Sequence, residues 1–142
     1  MERRRAVRTT RHHHSQNLHS VWDSSMIETS LQLRYHGSRN AMEDSLLDLI
    51  EQARHSAEWD TVWTLCANGA SRDCVSDWAE ESIASALQYA YANVNGTGDI
   101  QSGDHLSYDY YLSRAPAIRV QLARAGVRLA ATLEAALSRT TQ

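Results

Sequence analysis

Within Asn17-Leu18-His19-Ser20-Val21-Trp22-Asp23, an imidazole and a carboxylate stand four positions apart at the start of a segment with helical periodicity. On a helix, side chains at that spacing leave one face with their Cβ atoms about 5–6 Å apart, so both can reach a single ion. Zn²⁺ accepts neutral imidazole nitrogen and carboxylate oxygen at about 2.0–2.2 Å and usually takes four ligands. His19 and Asp23 are therefore candidate metal ligands. Two ligands on one helix make half a site.

Other chemistry-bearing residues have blander readings. Glu80 and Glu81 are a carboxylate pair of the kind that moves protons, but a solvated helix face, or pairing with arginines of the last helix, suits them better. Arg124 and Arg128, four apart in a mostly apolar stretch, are expected to bridge to acids such as Asp23 or Glu81 rather than to hold phosphate. Tyr108, Tyr110 and Tyr111 are able to stack on bases, yet packing at a helix start explains them more simply. His36, His55 and His105 have no partner at ligand spacing and read as surface residues. Cys66 and Cys74 flank a short polar loop. In an oxidising compartment they could close a small disulfide; in the cytosol they would remain thiols.

The elements that carry these residues read as helices throughout. From Asn17 onward, Leu18, Val21, Trp22, Met26 and Leu33 share a face, and Gly37 ends the run. A second helix is expected from Asn40, paired with Glu43 as a capping box, with Met42, Leu46, Leu47, Ile50 and Ala53 as its apolar face. Trp59 fits no clear period, whereas Trp63 and Leu65 are expected to pack. Val75, Trp78, Ala79, Ile83, Ala86, Leu87 and Ala90 make the cleanest helical stripe. A glycine-rich loop over 93–104 holds Asn95-Gly96-Thr97, a glycosylation sequon that has meaning only on secretion. Tyr108 to Leu137 reads as one long helix or a pair kinked at Pro116. It carries one stripe at Ile118, Leu122, Ala125, Leu129, Leu133 and Ala136, and a second at Val120, Ala123, Val127 and Ala130, so it should be central. No strand pair is visible. The expected fold class is all-α.

With 142 residues the chain is one domain's worth of sequence. Its net charge of −3 is unevenly spread, because residues 1–14 hold five arginines against Glu2 while nine arginines face sixteen acids in the rest. An acidic body argues against a broad cationic face for duplex DNA, although bound metal ions can supply positive charge locally. No stretch approaches the roughly 20 apolar residues that span a bilayer. The basic amino end has no apolar region behind it, so it does not read as a secretory signal. Residues 1–16, ending in His12-His13-His14, read as a disordered leader; the sharper alternative makes one of those histidines a third metal ligand.

Three stretches together resemble the zinc-dependent single-strand-specific nucleases and 3′-nucleotidases, the mung bean nuclease family (S-one/P-one nucleases). They are Asn17 to Asp23, Trp78-Ala79-Glu80-Glu81-Ser82, and Tyr110-Tyr111 with Gln121 to Ala130. The resemblance runs from residue 17 to about residue 138, with 139–142 as a tail, and matches the carboxy-terminal half of that family. It implies a nuclease/phospholipase-C-like helical fold, up to three zinc ions, and His19 and Asp23 as the last two ligands in chain order. It further implies hydrolysis of single-stranded DNA and RNA, with 3′-nucleotides as further substrates, and a secreted or endomembrane setting. Most of the family's ligands lie upstream of the Asn-Leu-His motif. The chain is therefore expected to be a truncated gene model or a degenerate copy, inactive by itself. The rival expectation is a non-catalytic helical remnant or interaction module.

Overall fold

A computed structural model describes residues 17–64, 74–94 and 97–139. Among these the fold is all-α, the only extended pairing being an isolated antiparallel bridge between Ala92 and Asp99. The described residues form five α-helices in chain order: α1 (Leu18–Ser20), α2 (Met26–Tyr35), α3 (Arg39–Ala53), α4 (Cys74–Ser85) and α5 (Tyr108–Arg139). Three π segments complete them. Val21–Ser25 joins α1 to α2, Ala86–Ala90 extends α4, and Trp59–Trp63 forms a separate turn.

Local chemistry sets the boundaries. Asn17 is extended (ψ 158°), and its Oδ1 accepts from the Ser20 amide at 2.8 Å, an N-cap that satisfies one of the free donors of the first turn. At the other end, His36 (φ 51°) and Gly37 (φ 81°) both take left-handed backbone. The Gly37 amide reaches back to the Leu31 carbonyl at 2.8 Å, closing the helix as in a Schellman turn. The next helix is capped by Ser38, whose Oγ accepts from the Ala41 amide at 3.2 Å. The expected Asn40–Glu43 box is thus displaced: Asn40 already lies inside α3, because Ser38 stands two residues earlier with an equally suitable hydroxyl.

Helix α5 is the spine. Pro116 lies inside it without splitting it, at an exposed position where water can take the carbonyl that the missing N–H leaves free. One side of α5 packs Tyr110 and Ile118 against Met26, with Leu18, Val21, Trp22 and Leu122 around them. Another packs Ala123 against Ala53 and Trp63, with Leu46, Ile50 and Val62. Ser45 ties α2, α3 and α5 together by accepting from the Tyr35 hydroxyl (3.2 Å) and from Arg119 Nη2 (2.9 Å). Trp59 and Trp63 stack at 6.1 Å across their π turn, with the Arg54 guanidinium over Trp59. Leu65 lies outside the described residues.

Two expected faces are not where the apolar pattern put them. On α4 and the π segment that extends it, Trp78, Ala86 and Ala90 of the expected stripe turn inward, joined by Glu81 and Ser85, whereas Val75, Ile83 and Leu87 are 60–71% exposed. The reason is electrostatic. Arg124 and Arg128 rise from α5 towards α4, and rotating Glu81 to meet them carries the aliphatic stripe outward. Helix α5 is central only as far as Arg128; Leu129, Leu133 and Leu137 are more than half exposed. Leu33 and Leu47 also face solvent rather than the core. No helix among the described residues is long and apolar enough to cross a membrane.

Candidate metal centre

The Asn17 cap starts α1 so that His19 falls in its first turn, and the backbone then widens into the π segment that carries Asp23. Single π turns inside helices are rare and concentrate at functional sites. Across this junction the His19 Nε2 atom lies 2.9 Å from Asp23 Oδ2, with the side chains 84% and 59% exposed. The two groups point at each other and at solvent.

The donor chemistry suits zinc. A zinc ion keeps such atoms about 2.0–2.1 Å from itself, hence roughly 3.3 Å from each other in a tetrahedral set. A small side-chain rotation from the observed separation reaches that value. Among the described residues no third histidine, cysteine, aspartate or glutamate joins the pair. His12, His13 and His14 lie outside the described residues, as do Cys66 and Asn95; Cys74 opens α4. His55, just past the end of α3, sits 3.9 Å from Glu51 at the same four-residue spacing, so the expectation that it has no partner at that spacing does not hold.

The pair stands on the rim of a groove of about 980 Å³ between the amino-terminal helix, α4 and α5. Trp22, Ile27, Trp78, Tyr91, Leu122 and Leu129 give it apolar walls. Deeper in, the Trp22 indole donates to the Tyr110 hydroxyl at 2.8 Å, and that hydroxyl donates to the Ala90 carbonyl at 2.8 Å. Arg114, itself buried, donates to the carbonyls of Tyr89 (3.0 Å) and Ala92 (2.8 Å), satisfying the end of the Ala86–Ala90 π segment. Of the three tyrosines, Tyr110 is a core residue at 2% exposure, while Tyr108 and Tyr111 stack at 5.7 Å. Burial pushes the Tyr110 hydroxyl above its usual pKa, against the Trp22 hydrogen bond and the Arg114 charge, which pull it down.

Glu81 ties α4 to α5 through Arg124 and Arg128, of which Arg128 lines the groove. Its carboxylate accepts from Arg124 Nη1 at 3.2 Å and from Arg128 Nη2, which also donates to the Val62 carbonyl at 2.8 Å. Burial acts to raise the Glu81 pKa, but the two guanidinium groups outweigh it and hold the carboxyl below its ordinary 4.5. Of the two expected acids, Glu81 is the one these arginines meet. The Trp22–Tyr110–Ala90 connection is not legible from the chain, since Trp22 and Tyr110 are 88 residues apart and no local spacing encodes their bond.

The family model for S1/P1 nuclease matches residues 5–138. The chain belongs to the S1/P1 nuclease family. It is 38% identical to Endonuclease 4 of Arabidopsis thaliana over 120 residues, covering 82% of this chain and 36% of that protein. It is 35% identical to Endonuclease 5 of the same plant over 125 residues, covering 86% and 38%. With Endonuclease 2 the identity is 38% over 120 residues, covering 82% and 37%. The chain thus spans little more than a third of the length of these S1/P1 relatives. No solved structure matches it.

Proposed function

We propose that this chain carries part of the metal centre of a zinc-dependent nuclease that hydrolyses single-stranded DNA and RNA, and 3′-nucleotides. The observation that carries this reading is the facing of His19 Nε2 and Asp23 Oδ2 at 2.9 Å on an exposed groove rim. Nuclease relatives make phosphodiester hydrolysis the reaction to which such a pair belongs. A bound zinc ion supplies Lewis acidity to the phosphoryl oxygens. His19 and Asp23 would hold it at the solvent-facing rim, beside the apolar groove. Trp22, Trp78 and Tyr91 offer flat faces to an unstacked base, which a base locked in a duplex cannot reach. Secretion goes with this reading, together with a Cys66–Cys74 disulfide and a glycan on Asn95.

Two ligands are half of a tetrahedral set, so residues 1–142 alone bind zinc weakly and do not cleave. A second reading, a helical interaction module without activity, is favoured by the exposure of Val75, Ile83, Leu87, Leu129 and Leu133. Zinc titration followed by a cleavage assay on single-stranded DNA decides between them. The nuclease reading expects weak zinc binding by residues 1–142, lost in His19→Ala, and no cleavage. Zinc binding indifferent to His19→Ala leaves the interaction module standing. Zinc-dependent cleavage by residues 1–142 would overturn the claim that half a site is inactive.

A further inference from the structure

His19 and Asp23 are both on the surface, so no packing against neighbours sets the distance between them. What sets it is the backbone turn that joins them, and that turn is a π segment, a geometry that tertiary contacts must hold in place. Trp22 lies between the two residues in the chain. Its indole donates inward to the Tyr110 hydroxyl, which is fixed in turn by its bond to Ala90, the last residue of the Ala86–Ala90 π segment. The Tyr110 ring is locked by Met26 and Ile118 and by the Arg114 guanidinium 5.1 Å from its centre. A phenylalanine would fill the same space. Only the hydroxyl, one acceptor and one donor, clasps the Val21–Ser25 and Ala86–Ala90 turns at once.

We infer that Tyr110 is a positioning residue for the His19–Asp23 pair: through Trp22 its hydroxyl fixes the turn that aims the carboxylate at the imidazole. The purpose of that positioning rests on the reading of the pair as metal ligands, but the positioning itself is measurable without metal. Buried partners standing behind metal ligands typically govern affinity by about 10–100-fold.

The test is nitrogen-15 NMR of the His19 ring in residues 1–142 and in Tyr110→Phe, Trp22→Phe and Asp23→Ala, first without metal and then with Zn²⁺ alone. In the unsubstituted chain, neutral His19 carries its proton on Nε2, facing Asp23. Tyr110→Phe is expected to move the His19 ring signals towards those of Asp23→Ala while circular dichroism stays helical, and to weaken zinc binding about tenfold. Trp22→Phe, which removes the indole donor together with part of the ring packed against Met26 and Tyr110, is expected to do the same and serves should Tyr110→Phe fail to fold. His19 signals unchanged in a folded Tyr110→Phe or Trp22→Phe, beside a clear change in Asp23→Ala, would overturn the inference. Zinc that leaves the His19 ring undisturbed in the unsubstituted chain would instead remove the ligand reading, with the metal-free comparison still deciding the positioning.

Discussion

Glu81 shows how one side chain decides the orientation of a helix. Its carboxylate is only 20% exposed and takes hydrogen bonds from two guanidinium groups of α5, so α4 cannot rotate without breaking both. A folded-state pKa below the ordinary value means that the unfolded chain binds the proton more tightly. The stabilisation is therefore complete above about pH 4.5 and is lost as pH falls through the lower folded value. Glu81→Gln is expected to cost about 1.5–3 kcal/mol at pH 7, the range for hydrogen bonds to charged groups. Urea unfolding of both chains should show this difference shrinking as the pH is lowered past 4.5. A difference that does not change with pH would mean that the carboxylate charge is not what Arg124 and Arg128 recognise.

At the scale of elements, caps and breaks were more legible than faces. Asn17 starts the first helix and the His36–Gly37 pair ends it, as residues that favour caps and left-handed backbone lead one to expect. The second cap was misplaced by two residues, since Ser38 and Asn40 are both good caps and spacing alone does not rank them. Ser38→Ala should cost about 1 kcal/mol while Asn40→Ala costs little, measured by the same unfolding experiment. Equal costs would restore the Asn40–Glu43 box. The α4 face was unreadable for a deeper reason. Its aliphatic residues repeat at helical spacing, and the arginines that pull the other face inward come from 43–47 residues further along the chain. The π segments were likewise invisible, because the Trp22–Tyr110 bond that braces the first of them joins distant positions.

For the whole molecule, the described core is small. Its buried apolar residues include three alanines, and no large side chain among the described residues is fully enclosed. Against this, Val75, Ile83 and Leu87 on α4, with Leu129, Leu133 and Leu137 on α5, are all more than half exposed, more apolar surface than a stable monomer usually leaves bare. Residues 1–142 are expected to unfold over a broad temperature range, or to self-associate at micromolar concentration. Calorimetry combined with sedimentation checks this. A sharp, cooperative transition from a monomer would show that the two clusters suffice. The all-α class was visible from periodicity, but the bare face was not, because a stripe of leucines looks the same whether covered or exposed.

The central claim is that one imidazole and one carboxylate grip the same ion, and a double-mutant cycle in zinc affinity addresses it directly. Titrations of the unsubstituted chain, His19→Ala, Asp23→Ala and the double variant give the coupling between the two sites. If both groups bind one ion, the second substitution should add little once the first has removed the site. Losses that simply add, or binding that survives both changes, would contradict the account.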